Sequence, residues 1–207
     1  PAQLIAHPFS HNSGEKLTKA MAREHLQLRR EDKIILFFGF IRPYKGLDIL
    51  LEAMNDSRIR SENIKLIVAG EFYEDEKNYR EIIERLSLKE SLILKTDFIP
   101  DSEVKYYFCA ADAVMQPYRH ATQSGITPMA YHFEKPMVVT NVGGLPEIVP
   151  DGKVGLVAEP DPQSIADAII KFYTFGEEYF VENIKAEKQK DSWSNMAEAL
   201  LQLAIGN

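Results

Sequence analysis

Residues 33–46 read KIILFFGFIRPYKG, and this stretch decides the fold of the chain. Its first part, Ile34–Phe38, is an unbroken apolar run, which is typical of a strand buried on both faces of a sheet. Gly39 and a loop with two cations follow. The next segment, Leu47–Asn55, carries apolar residues three and four positions apart, which predicts a helix. A strand, a glycine-containing loop and a helix therefore follow one another.

The same alternation continues along the chain. Further strands are predicted at Ile64–Ala69, Leu92–Leu94, Ala113–Met115, Pro136–Thr140 and Gly155–Ala158, and further helices at Lys77–Leu88, Ser102–Ala110 and Gly125–Phe133. Short buried strands that alternate with amphipathic helices favour a parallel sheet covered on both faces. The predicted fold class is α/β: a doubly wound, Rossmann-like parallel sheet of about six strands with helices on both faces, in a single domain with additional C-terminal helices.

Three regions are predicted along the chain. Residues 1–32 form a linker and a lead-in helix, residues 33–174 form the Rossmann-like domain, and residues 175–207 form C-terminal helices that pack on it. The lead-in helix is predicted at Glu15–Leu28, and Trp193 begins the apolar face of the last helix. Because the chain begins in a linker-like segment, we expect it to be a piece of a longer polypeptide.

Composition excludes several classes of protein. The 207 residues include 24 lysines and arginines against 31 aspartates and glutamates, a formal net charge of −7. A net negative chain binds polyanions poorly, so nucleic acid is not expected as a partner. The single cysteine, Cys109, excludes a disulfide framework and predicts a reducing, cytoplasmic location. No apolar run reaches the roughly 18 residues that span a bilayer.

Two loops after predicted strands have the chemistry of a phosphate site. In parallel sheets, ligands bind beyond the carboxyl ends of the strands. Arg42 and Lys45 place two cations beside a helix start, where backbone N–H groups are also free. The segment Ser124–Ile126 offers N–H groups at another helix start. The alternatives are that both cations are simply solvated and that Ser124 is only a helix cap.

Two further loops carry glycines and a carboxylate. Gly70 and Glu71 follow the second strand, and Gly143 and Gly144 precede Glu147. Each glutamate is a candidate acceptor for a ligand hydroxyl, and a simple surface charge or helix cap is the alternative. His7 and His11 lie four residues apart in an irregular segment without accompanying acids, so no metal site is predicted.

Taken in order, these segments resemble one large protein family. The resemblance rests on Phe38–Gly46, Val68–Gly70, Phe98–Pro100, Ala111–Tyr118 and Lys135–Val149, and extends from about Lys33 to Tyr173. The chain resembles the carboxyl-terminal, donor-binding domain of retaining glycosyltransferases of the GT-B fold, the glycosyl transferases group 1. The resemblance implies that the full-length protein is an enzyme that transfers a sugar from a nucleotide-sugar to an acceptor with retention.

Roles for individual residues follow from that resemblance. The donor diphosphate is expected at Arg42, Lys45, Gly39, Ser124, Gly125 and Ile126. The base or sugar region is expected at Asp97, Phe98, Ile99, Thr122, Gln123, Met129, Gly143, Gly144 and Glu147. No catalytic residue is assigned, because no nucleophile is visible, and the reaction is expected to need neither a metal nor a cofactor.

The resemblance also implies that an acceptor-binding domain precedes Pro1 and that the 207 residues alone are inactive. Aromatic residues between Phe172 and Phe180 favour core or interdomain packing, with peripheral membrane association of the full-length protein as the alternative. The family usually carries two glutamates where this chain has Ala121 and Met129. These substitutions keep a second interpretation open, a non-catalytic nucleotide-binding or interaction module of the same fold.

Overall fold

A computed structural model of the protein describes residues 15–121 and 124–189. Six strands form one parallel sheet in the order β3-β2-β1-β4-β5-β6. They are β1 (Lys33–Phe38), β2 (Ile64–Ala69), β3 (Leu92–Lys95), β4 (Ala113–Gln116), β5 (Met137–Thr140) and β6 (Gly155–Ala158). The strand order reverses between β1 and β4, the place where doubly wound sheets open a crevice for ligands. The predicted fold class is confirmed.

The helices alternate with these strands, as predicted. They are α1 (Lys19–His25), α2 (Leu47–Ala53), α3 (Ser57–Ser61), α4 (Lys77–Arg85), α5 (Asp101–Ala110), α6 (Ile126–His132), α7 (Leu145–Ile148) and α8 (Pro162–Phe175), and residues 177–189 are also helical. Pro43–Lys45 and Lys89–Ser91 form short 3-10 turns. The five residues of α3 are too short to show a helical period, so the sequence did not predict this helix.

Two apolar layers cover the two faces of the sheet. Successive residues of a strand point to opposite faces, so Ile35 and Phe37 of β1 pack into one layer and Ile34 and Leu36 into the other. The first layer contains apolar residues of α2 and α8, and the second contains those of α5 and α6. Helices therefore lie on both faces, as the sequence indicates.

The prediction of burial on both faces was wrong for β3. This strand lies at the edge of the sheet and pairs with β2 alone among the described strands. None of its four residues is fully buried, and Leu94 is exposed. An edge strand has one flank open to solvent, so an apolar run of three residues does not by itself show where in the sheet a strand lies.

Asp112, beside the amino end of β4, is the centre of a polar cluster. The cluster includes α1 and the helical segment 177–189. Asp112 accepts hydrogen bonds from Arg23 (3.0 Å) and Lys19 (2.6 Å) of α1, from the backbone N–H of Ile34 (2.7 Å) and from the Tyr173 hydroxyl (3.0 Å). The 177–189 segment reaches this cluster through ion pairs of its first residue, Glu177, with Lys19 and Lys135.

Several predicted boundaries change in the structure. The lead-in helix is shorter than predicted because the Thr18 hydroxyl caps it, accepting a hydrogen bond from the Met21 N–H. Of the predicted aromatic group, Phe172 and Phe180 are buried, whereas Phe175 and Tyr179 are exposed. Residues 1–14, including both spaced histidines, and the predicted helix at Trp193 lie outside the described residues.

Candidate functional site

A cavity of about 570 Å³ opens beyond the carboxyl ends of the strands. It lies at the point where the strand order reverses, so both halves of the sheet contribute to it. Its walls are formed by Phe38, Gly39, Phe40, Tyr44, Lys45, Gly70, Glu71, Phe98, Ile99, Asp101, Val104, Tyr118, Ser124, Gly125, Ile126 and Met129.

Glycines at the ends of β1 and β2 give this cavity its floor. Both have positive φ, +96° at Gly39 and +137° at Gly70. A Cβ on Gly70 would lie 2.4 Å from the carbonyl oxygen of Gly39, and one on Gly39 would lie 3.2 Å from the Lys45 Nζ. The absence of side chains therefore allows the two strand ends and the lysine ammonium to approach one another closely.

Lys45 is a buried cation that faces this cavity. It is 9% exposed and lies in the 3-10 turn that links β1 to α2. Burial, reinforced by the charge of Arg42, lowers the pKa of Lys45 from 10.5 to about 8. Within residues 15–121 and 124–189, no hydrogen bond or ion pair links its ammonium to an acceptor. Since no fully buried side-chain nitrogen among the described residues lacks a hydrogen-bond partner, this ammonium reaches solvent through the cavity. Its lowered pKa reflects poor solvation there, so the site is suited to an anion from outside the chain.

Arg42, the second predicted phosphate ligand, lies beside the cavity and does not line it. Its guanidinium carbon is 4.1 Å from the centre of the Tyr73 ring. Arg42 and Lys45 were paired from their place beside a helix start and from the family resemblance. In the structure, Lys45 lines the cavity, whereas Arg42, in extended backbone before the turn at Pro43, contacts Tyr73.

Ser124 lies just before Gly125, the N-cap residue of α6. Its hydroxyl accepts a hydrogen bond from the Ile126 N–H (3.2 Å) and lies 3.3 Å from the hydroxyl of Tyr118. Ser124 is therefore not the N-cap itself, although it already provides a partner for the N–H of Ile126. Burial raises the pKa of Tyr118 to about 12, so this phenol stays protonated and neutral at physiological pH.

The loops after β1 and β4 are held together by contacts that the sequence analysis did not identify. The Arg119 guanidinium makes a bidentate ion pair with the Asp48 carboxylate, with N–O distances of 2.7 and 2.6 Å. The backbone N–H of Arg119 donates to the Tyr44 carbonyl. Gly46 comes so close to Pro117 that a Cβ would lie 1.9 Å from the proline carbonyl oxygen. No spacing rule links positions about 70 residues apart, so only the fold reveals this pairing.

The residues predicted for the base or sugar separate into two groups. Phe98, Ile99 and Met129 line the cavity, and Phe98 is 69% exposed at its mouth. Four others, Asp97, Gly143, Gly144 and Glu147, do not line it, and Thr122 and Gln123 lie outside the described residues.

Glu71 and Asp101 are the carboxylates among the lining residues. The sequence analysis considered Glu71 as a hydroxyl acceptor but did not assign Asp101 to the site. The position of Asp101 at the start of α5, just after the predicted Phe98–Pro100 segment, was the available signal.

Comparison with known proteins identifies the family. A sequence model of the glycosyl transferases group 1 matches residues 19–190. The chain belongs to the glycosyl transferases group 1 family. The matched range begins with α1 and includes the helical residues 177–189, so the segments joined at Asp112 are parts of the family domain.

Similar curated proteins support this assignment. The uncharacterized glycosyltransferase MJ1607 of Methanocaldococcus jannaschii is 30% identical over 181 residues, covering 84% of this chain and 45% of the relative. The lipopolysaccharide 1,2-N-acetylglucosaminetransferase of Salmonella typhimurium is 26% identical over 212 residues, covering 96% of this chain and 53% of the relative. The chain spans about half the length of these curated relatives.

Solved structures share the fold. Anabaena HepE in complex with UDP aligns with a TM-score of 0.72 and 20% identity, covering 89% of this chain and 52% of that chain. The resemblance to glycosyl transferases group 1, inferred from the loop motifs, is thus confirmed for family and fold. No helix among the described residues is long and apolar enough to cross a membrane.

In this glycosyltransferase chain, metal independence stays a prediction. Among residues 15–121 and 124–189, no three histidine, cysteine or acidic side chains converge on a point where they would hold a metal ion. The cation that the site does provide is the Lys45 ammonium.

Proposed function

We propose that this chain is the donor-binding half of a glycosyltransferase that transfers a sugar from a nucleotide-sugar to an acceptor. One observation carries the proposal: the largely buried side chain of Lys45 lines a cavity at the reversal of strand order, and its ammonium has no acceptor among the described residues. The diphosphate of a nucleotide-sugar would supply the missing negative charge. The cavity volume of about 570 Å³ lies in the range of sites that enclose small molecules.

The same cation assists the departure of the leaving group. Breaking the bond between sugar and phosphate passes through an oxocarbenium-like state, and negative charge develops on the nucleoside diphosphate. A cation that is fixed beforehand beside the leaving group stabilises this charge without reorganisation. Lys45 is placed for this role, and Gly125, which bears no side chain on the cavity wall, leaves room for a phosphate to approach.

The rest of the cavity suits a nucleoside. Apolar walls from Ile99, Val104 and Met129 offer a surface for the flat base, and Glu71 and Asp101 offer acceptors for sugar hydroxyls. A thioether cannot accept strong hydrogen bonds as a carboxylate does, so Met129 is assigned to packing rather than to hydroxyl recognition. Uridine diphosphate is the first nucleotide to test, because HepE is described in complex with UDP and with UDP-glucose.

The experiment is calorimetric titration of the chain with UDP, GDP and ADP, with thermal unfolding in parallel. We expect one of these nucleotides to bind and, at about one hundred times its Kd, to add about 2.7 kcal/mol to the free energy of unfolding. Lys45→Met should abolish binding, whereas Lys77→Met, which changes an exposed lysine of α4, should not. Binding by Lys45→Met as strong as that of the parent would refute the proposed site.

Sugar transfer should need more than this chain. Since the curated relatives are about twice as long, we propose that an acceptor-binding half belongs to the same polypeptide and completes the cleft. The full-length protein is proposed to work in the cytoplasm, with retention and without a metal or cofactor. The 207-residue chain is expected to bind the donor and to transfer no sugar. Product formation by this chain alone, measured with radiolabelled UDP-sugar, would contradict the proposal that transfer needs the acceptor-binding half.

A further inference from the structure

Arg42 and Tyr73 form a cation–π pair beside the cavity. The guanidinium carbon of Arg42 lies 4.1 Å from the centre of the Tyr73 ring. Tyr73 is 63% exposed, and it has no role in the site as derived so far. An exposed tyrosine ring gains little from apolar packing, so its contact with the cation is the feature to explain.

The backbone fixes both members of this pair. The N–H of Ile41 donates to the carbonyl of Glu71 (2.8 Å), and the N–H of Tyr73 donates to the carbonyl of Ile41 (3.0 Å). These bonds extend the β1–β2 pairing past the ends of the strands, where Ile41 and Phe72 form a parallel bridge. Arg42 and Tyr73 therefore start from two adjoining segments whose relative position is set by the sheet.

The contact with Tyr73 leaves the hydrogen-bonding capacity of Arg42 available. A cation–π contact is electrostatic and does not require the N–H donors of a guanidinium. Across the described residues, no acceptor is hydrogen-bonded to the Arg42 guanidinium. Arg42 and Lys45 lie in the same loop, three residues apart, and the charge of Arg42 contributes to the lowered pKa of Lys45. This loop therefore presents two cations to an incoming polyanion.

We propose that Tyr73 is a positioning residue: it holds Arg42 beside the cavity so that the guanidinium meets the distal phosphate of a nucleoside diphosphate bound at Lys45. This inference rests on the proposed function. It assigns different roles to the two cations, since Lys45 lines the cavity and Arg42 does not. A nucleoside monophosphate would fill the inner position and leave Arg42 without a partner.

The test is calorimetric titration of UDP and UMP into the parent, Tyr73→Ala, Tyr73→Phe, Arg42→Ala and the double variant Tyr73→Ala/Arg42→Ala. Loss of the ring should weaken UDP binding by about two- to fivefold, the range expected for an exposed cation–π contact. UMP binding should stay unchanged. Tyr73→Phe keeps the ring and should bind UDP like the parent. The double variant should bind UDP no more weakly than Arg42→Ala, because Tyr73 acts only through the arginine.

Three results would overturn the inference: UDP binding unaffected by Tyr73→Ala, equal weakening of UDP and UMP, or a further loss when Tyr73→Ala is added to Arg42→Ala. Thermal unfolding of each variant shows whether a loss of binding reflects a loss of folding, and Tyr73→Phe controls for the hydroxyl. Failure of the parent to bind any nucleoside diphosphate would refute the proposed function, and this inference with it. If the parent binds UDP and Tyr73→Ala binds it with the same affinity, this inference alone is refuted.

Discussion

At the scale of a single residue, the poorly solvated charge of Lys45 is expected to lower the stability of the folded chain. Partial removal of a charge from water without a compensating partner lowers stability, and the same desolvation lowers the pKa of Lys45. Selection for stability alone would favour an apolar side chain at this buried position. A ligand anion would offset the cost only when it is bound, so stability and binding are expected to oppose each other at this residue.

Lys45→Met should therefore stabilise the chain while it removes nucleotide binding. We expect the free energy of unfolding to rise by about 1–3 kcal/mol near pH 7, as the shift in pKa implies. Methionine has a similar length and no charge to desolvate. Urea denaturation of parent and variant measures this difference. A variant less stable than the parent would show that Lys45 has a compensating partner in the free protein.

The pH dependence of the same residue has a defined sign. The folded-state pKa of Lys45 is about 8, below its value of 10.5 in the absence of the fold, so between these values the unfolded chain binds more protons. The stability advantage of Lys45→Met should therefore be fully present below pH 8 and should fade as the pH rises towards 10.5. Urea titrations at pH 7, 8.5 and 10 check this, and an advantage that grows with pH would contradict it.

Nucleotide binding should weaken as the pH rises through the same range. A diphosphate binds the ammonium form, so the affinity for UDP should be constant below about pH 8 and fall above it. Binding near that pH should also take up protons. Titration in buffers with different ionisation enthalpies measures the uptake. Affinity that stays level up to pH 9.5 would show that the charge of Lys45 plays no part in binding.

At the scale of elements, the site depends on loops that approach one another at glycines. Gly143, after β5, has φ of +53°, and a Cβ there would lie 1.7 Å from the carbonyl oxygen of Ala121. Although Gly143 does not line the cavity, its contact with Ala121 supports the loop that leads to Ser124 and Gly125. Gly144, its neighbour, would meet nothing within 4 Å.

These two glycines provide a matched pair of variants. Gly143→Ala should lower the free energy of unfolding by about 2 kcal/mol or more, since it combines an unfavourable φ with a backbone clash, and should weaken UDP binding by displacing the loop. Gly144→Ala should change stability by less than about 0.5 kcal/mol. Thermal unfolding and calorimetry measure both effects. Equal effects of the two substitutions would show that the loop does not depend on this contact.

At the scale of the whole molecule, Asp112 joins both ends of the family domain to the sheet. Its carboxylate bonds to α1, to α8 through the Tyr173 hydroxyl, and to the backbone of Ile34 in β1. These partners come from segments far apart in sequence, at the end of the sheet away from the cavity. Removing one member of such a buried network leaves the other charges uncompensated.

Asp112→Asn should accordingly destabilise the chain by about 3 kcal/mol or more, because Arg23, which is 3% exposed, loses its counter-ion. The control is Asp167→Asn, which removes an exposed partner of Arg58 and should cost less than about 1 kcal/mol. Urea denaturation compares the two variants. A similar small effect at both positions would mean that Asp112 is dispensable for joining α1 and α8 to the sheet.

The fold class and the family could both be predicted from the order of the residues. The period of apolar residues is set locally by strand and helix geometry, so β2 and β6 have the predicted bounds and the helices end within a few residues of theirs. Glycines with cationic and hydroxyl residues after the strands were sufficient to predict where a cavity opens, while phosphate binding there stays a prediction. Lys45, Ser124 and Gly125 all line the cavity that the structure contains.

The contacts that arrange the side chains around the cavity and at Asp112 are visible only in the folded chain. The direction of Arg42 towards Tyr73, the ion pair of Arg119 with Asp48 and the joining role of Asp112 all depend on contacts between segments distant in sequence. Strand order and register determine which side chains meet across such a distance. Neither of them produces a local periodic pattern in the sequence, so neither can be inferred from it. The burial that lowers the pKa of Lys45 likewise arises only when the loops after β1 and β4 close around it.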